Sequence, residues 1–191
     1  MDIEEAIYKR RTIRRFKQDD PIPIETLKKL IDYARVAPAG GNVQALEYAI
    51  VNSPEMAEKM FLLVKFAAYL PREQKPTIEN KPMAYIIILA NTNIKKSNYE
   101  YDIGAAVQNI LLGALSFGLG SCWMASISAR KIRALLEIPD NLEIVHVVSL
   151  GFPDEDSETE PYKDSFKYWK DESGTMHIPK RALDSIIFKI F

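Results

Sequence analysis

Residues 100–118, EYDIGAAVQNILLGALSFG, carry apolar side chains on nearly every side of a helical wheel. A surface helix keeps one polar face, and this one has almost none. It belongs in the centre of the fold or in an interface, with other elements packed around it. The glycines of GLGSCW (118–123) end this helix, and a short strand around SCWM follows.

Around that centre the chain alternates helical and strand patterns. Asp2 as an N-cap, with Ile3, Ala6 and Ile7 on one face, predicts a first helix running to about Arg11. QDDPIPIE (18–25) is a turn, because its prolines neither continue a helix nor leave the preceding residues free. A second helix is expected from Ile24 to Ala37, burying Leu27, Leu30, Ile31 and Ala34. APAGGNVQ (37–44) breaks the pattern before the short strand EYAIVN. Ser53 and Pro54 then open a helix of about 16 residues, with Met56, Met60, Leu63, Val64 and Ala67 inward.

The polar connection PREQKPTIENKP leads to AYIIILAN (84–91), a fully buried strand. After the central helix and SCWM comes a helix capped by Ser128 and ended before Pro139, then the buried strand LEIVHVVSLGFP. DEDSETEPYKDSFKYW reads as a surface excursion, its acidic run a solvated loop. Pro179 at the first helical position predicts a last helix with Leu183, Ile186, Ile187 and Ile190 inward. About four strands among five or more helices make the fold class α+β, a single domain over residues 1–191 with no repeat or linker. The strand order is not readable from spacing.

YKRRTIRRF (8–16) gathers Lys9, Arg10, Arg11, Arg14 and Arg15 in a chain whose net charge is only −1. Guanidinium groups with the Thr12 hydroxyl suit a phosphate; a solvated helix end, favoured by the helix dipole, is the alternative. Near-neutrality and the lack of a second basic run argue against nucleic acid. GLGSCW fails as a dinucleotide fingerprint, since Trp123 stands at the third glycine and the segment leaves a helix instead of entering one. The lone Cys122 reads as a buried, inert thiol, His146 as a core histidine and His177 as an exposed turn residue. No residue pattern points to a metal. With no signal-like amino terminus and no apolar run of roughly 18 residues, no membrane is expected and the setting is cytoplasmic. Lys180 and Arg181, placed by that pattern at a helix amino terminus where the dipole disfavours them, hint at a nearby anion.

Taken in order, AIYKRRTIRRF, VAPAGGNVQ, DIGAAVQNILLGALSFGLGSCWMAS, VSLGFP and IPKR resemble the motifs of the nitroreductase family of FMN-dependent oxidoreductases. That resemblance spans nearly the whole chain. It implies a nitroreductase-like α+β fold, a central, mostly antiparallel sheet flanked by helices, in an intertwined homodimer with FMN at the subunit interface. By position, Arg10, Arg11, Thr12 and Arg14 would hold the phosphate, ribityl chain and pyrimidine edge. Pro38, Ala39, Gly40, Asn42 and Gln44 would come from the second subunit. The backbone at Ala125 and Ser126 would face flavin N5, with Gly151 nearby, and Lys180 and Arg181 would return to the phosphate.

The resemblance further implies NADH or NADPH as donor and a nitroaromatic, quinone or similar small molecule as acceptor, in a ping-pong hydride mechanism. No side chain is then catalytic, because the cofactor carries the chemistry. Two departures stand out: Ala39 replaces a frequent serine, and QAL replaces QPW, with Leu46 in place of the aromatic. Other flavin reactions on the same fold (dehalogenation, flavin cleavage, ring oxidation), a flavin-binding protein without turnover and a basic-patch interaction module are the alternatives.

Overall fold

The computed structural model describes residues 2–18 and 21–191. Helices α1 (Ile3–Lys9), α2 (Ile24–Arg35), α3 (Pro54–Phe61), α4 (Glu100–Ser116) and α5 (Ala129–Leu136) surround strands β1 (Leu46–Val51), β2 (Ala84–Asn91), β3 (Gly120–Met124) and β4 (Leu142–Gly151). The four strands form one antiparallel sheet in the order β1-β2-β4-β3. β2 is buried on both faces, as its unbroken apolar run requires. Ile86, Ile88, Val148 and Leu150 pack under α2 and α4, whereas Tyr85, Ile87, Cys122 and Val147 face α3 and α5.

Helix α4 sits as its composition demands: Ile103, Ala106, Val107, Ile110 and Ala114 are buried between α2 and the sheet. Gly113 makes that packing possible, since a Cβ there would stand 2.4 Å from the Tyr33 ring. The predicted caps at α1 and α3 are present. Asp2 accepts the Glu5 N–H at 2.8 Å, and Ser53 accepts the Met56 N–H at 3.3 Å with Pro54 at the first turn.

Five expectations need correction. The helix opened by Pro54 has 8 residues, not about 16. After Phe61 the chain runs beside the end of β3, with Val64 bridging Ile127 and Ser128 N–H donating to Leu63 C=O at 2.8 Å. That long-range pairing within the chain competes with helix continuation and wins. The acidic excursion carries β5 (Ser157–Pro161) and β6 (Trp169–Lys170), which flank β7 (Met176–Lys180) in a second sheet of order β5-β7-β6.

Pro179 therefore lies in a strand and not at a helix start. No α-helix follows it among the described residues: only a 3-10 turn spans Leu183–Ser185, and Leu183, Ile186, Ile187 and Ile190 are exposed. His177 is not a turn residue either. Its side chain is largely buried in β7, 3.2 Å from both Asp171 and Glu158, and stacks on Trp169. Helix α1 is shorter than read, and Ile3 and Ile7 face solvent. Of the expected 18–25 turn, Gln18 is a bend, 21–23 are irregular and Ile24 opens α2; Asp19 and Asp20 lie outside the described residues. Among the described residues no helix is long and apolar enough to cross a membrane.

Candidate functional site

Helix α1 stops where Arg10 turns extended, its N–H still donating to Ala6 C=O. From there the basic stretch runs across the ends of β3 and β4. Ile13 N–H donates to Ser121 C=O at 2.9 Å, Thr12 bridges Ser121, and Lys17 N–H donates to Phe152 C=O at 2.9 Å. Two glycines permit that approach: a Cβ on Gly120 would lie 2.8 Å from Ile13, and one on Gly151 would lie 2.6 Å from Phe16. With Ile13 and Phe16 driven into the core, the arginines between and before them are left half-buried at the rim.

Arg10 and Arg11 line a cleft of about 240 Å³ with Gly118, Ser121, Pro153 and Ser157. Burial works against the charge of Arg10, and burial followed by the Arg10 charge works against that of Arg11. Among the described residues neither they nor Arg14 forms an ion pair. Arg14 also has a buried Nη1 with no hydrogen-bond partner. Arg15 is turned to structure, its Nη2 donating to Gln74 C=O at 3.0 Å. Glu155 and Asp156 line the arginine cleft too, but no ion pair ties them to these guanidinium groups among the described residues, so the half-buried rim keeps donors for an anion.

The second predicted group lies on the loop at 38–44. Gly40 N–H donates to Asp102 Oδ1 at 2.8 Å, while Lys95 Nζ holds Oδ2 at 2.7 Å. Burial alone would raise the Asp102 carboxyl; the Lys95 ammonium and the Gly40 N–H outweigh it and keep it below its usual range. Gly41, Asn42 and Gln44 all have left-handed backbones, with φ of 62°, 53° and 54°. A run of such residues costs energy, which marks the loop as shaped for a task. Pro38, Ala39 and Gln44 line a cleft of about 270 Å³ with Leu46, Tyr48 and Asp102. Burial pushes the Tyr48 phenol up to about 12. This cleft shares no residue with the arginine cleft.

Ala125 and Ser126 are exposed just beyond β3, where Ser126 C=O accepts the Lys65 N–H at 2.9 Å. Gly151 is buried against Phe16 and presents no surface. Lys180 pairs with Pro161, whereas Ser157 at the other end of β5 lines the arginine cleft. Four residues of strand separate them, about 13 Å. Lys180 and Arg181 are exposed, and Arg181 donates to Ser185 C=O, so within one chain they do not join the rim. Cys122 is buried, its thiol pushed up to about 11 by burial. His146 accepts from Trp123 Nε1, and burial lowers it. Among the described residues no cluster of three or more His, Cys, Asp or Glu could hold a metal.

The family model described as "Nitroreductase family" matches residues 7–152. The chain belongs to the nitroreductase family. It is 33% identical over 167 residues to a protein of Archaeoglobus fulgidus provisionally named an NADH dehydrogenase/NAD(P)H nitroreductase, covering 84% of this chain and 90% of that one. Among solved structures, a nitroreductase family protein from Clostridium novyi NT superposes with a TM-score of 0.66 at 30% identity, over 80% of this chain and 87% of that one. An FMN-dependent nitroreductase from Clostridium difficile R20291 gives 0.68 at 24% identity, over 85% and 92%. As a nitroreductase, this chain is an enzyme of the flavin oxidoreductase type.

Three residues at the site escaped the sequence reading. Lys65 interrupts the apolar run FLLVKFAAYL and was absorbed into a helix that stops short of it. Glu155 was hidden in an acidic run, and Tyr168 in the segment read as a loop; both reach Arg14 across more than 140 positions.

Proposed function

We propose that this nitroreductase binds FMN in a single domain over residues 1–191, between two copies of the chain, and transfers electrons from NADH or NADPH to a small nitroaromatic, quinone or similarly electron-poor acceptor. The observation that carries the reading is Arg14, whose buried Nη1 has no acceptor among the described residues. The pyrimidine edge of a flavin offers one, so the residues present fit the cofactor. Arg10, Arg11 and Thr12 would hold the phosphate and ribityl chain beside it, with Arg10 and Arg11 lining the cleft and forming no ion pair among the described residues.

When bound, FMN supplies the hydride acceptor and donor at N5. The chain's own groups bind and orient. Arg14 places a cation where negative charge grows on reduction, and the backbone beside Ala125 and Ser126 offers hydrogen bonds without a titrating side chain. Donor and acceptor would take turns in one site, which is the ping-pong order. Pro38, Ala39, Gly40, Asn42 and Gln44 would complete that site from the second copy. Their cleft is separate from the arginine rim in one chain, and Ile3, Ile7, Tyr101 and Phe188 leave apolar surface for such a partner. The setting proposed for it is the cytoplasm, where nicotinamide nucleotides are available as donors.

Purified protein should show flavin absorbance that NADH or NADPH bleaches without oxygen and that a quinone restores. A protein that takes up no added FMN would contradict the reading.

A further inference from the structure

We propose that Glu155 and Tyr168, both outside the span matched by the family, brace Arg14 from two sides and so set where its cation stands at the flavin site. The inference rests on the FMN reading and adds positioning residues to it.

The backbone side comes first. Glu155 Oε1 accepts the Arg14 N–H at 2.5 Å and the Arg15 N–H at 3.3 Å, while Oε2 takes Lys170 Nζ at 2.6 Å. The carboxylate is only 3% exposed and the ammonium 4%. An acid this deeply buried is held there by charge-assisted bonds to both oxygens, and it cannot leave without stranding Lys170. An acidic residue from the start of the second-sheet segment thus fixes the peptide of an arginine at the chain's beginning.

The side chain is held separately. The Arg14 guanidinium lies 4.6 Å from the centroid of the Tyr168 ring, a cation–π distance. Tyr168 is itself seated against Tyr69, ring centroids 5.0 Å apart. One face of the guanidinium is stacked, and Nη1 is left without a partner. A braced arginine loses less rotamer freedom when its ligand arrives than a free one does. It also keeps its charge at a fixed place, so the brace acts on the reduced cofactor more than on the oxidised one.

The test is FMN binding to apoprotein by fluorescence quenching, followed by the flavin midpoint potential at full occupancy. Tyr168→Leu should weaken FMN binding about tenfold and lower the potential. Tyr168→Phe keeps the ring and should stay within about twofold of wild type. Glu155→Leu/Lys170→Met removes the acceptor without leaving a buried charge, and should weaken binding as well. A purely structural role would lower stability in these variants and leave the potential unchanged. If wild type binds FMN and Tyr168→Leu matches it in affinity and potential, the brace is overturned while the FMN reading stands. Wild-type protein that binds no FMN overturns both.

Discussion

Asp102 Oδ1 accepts the Gly40 N–H at 2.8 Å, tying the first turn of the central helix α4 to the loop at 38–44. A helix packed in the core thereby holds a loop with three left-handed residues. Asp102→Ala should cost about 2–4 kcal/mol in urea unfolding, because it strands Lys95 and frees the loop. Asp102→Asn keeps an acceptor for Gly40 and should cost about 1 kcal/mol. FMN occupancy should fall in the alanine variant and persist in the asparagine one.

Acid should weaken the fold through two lowered carboxyls. Asp102 is held below its usual 3.8 against its own burial, and Asp171 is lowered to about 2 by the Ser173 hydroxyl and His177. A group whose folded pKa is depressed stabilises fully above its unfolded value and loses that contribution as pH falls through the folded one. The melting temperature should therefore decline below about pH 3.8 and continue falling towards pH 2. Asp171→Asn should flatten the lower part of that decline.

Gly151→Ala should destabilise by about 1–3 kcal/mol, since the new methyl meets the fully buried Phe16 ring and backbone-bound Cβ. Chemical denaturation reads the change. Because Phe16 shares its strand-like segment with Arg14, the same variant should also lower FMN affinity.

Arg14→Met should separate stability from binding. It removes a buried donor with no partner among the described residues, but also the stacking on Tyr168, so unfolding free energy should change by no more than about 1 kcal/mol. FMN affinity should fall roughly 10- to 100-fold, as for loss of a charge-assisted hydrogen bond. Calorimetric titration and thermal unfolding of the same samples check both halves.

The parts legible in the sequence were those whose signal is local. An apolar run such as AYIIILAN or the central helix needs burial wherever it lies, and the caps at Asp2 and Ser53 act within three residues. Leu183, Ile186, Ile187 and Ile190 have helical spacing too, but nothing among the described residues covers them, and short helices need a face to pack on. Glu155 was illegible because its partners lie 141 residues before and 15 after it. An acidic run is usually solvated, and only the fold shows which member turns inward.

The central claim is that each flavin site takes its arginines from one chain and its loop from another. Arg14→Ala and the double variant Asn42→Gly/Gln44→Gly each damage one half; glycine adopts the left-handed backbone of both loop positions without strain. Each variant alone should bind FMN poorly. Co-expressed with different tags and isolated as the mixed dimer, they should regain one tightly bound FMN per dimer, in the site that combines the intact halves. A mixed dimer that binds no more FMN than its parents would contradict the shared site and place both halves on one chain.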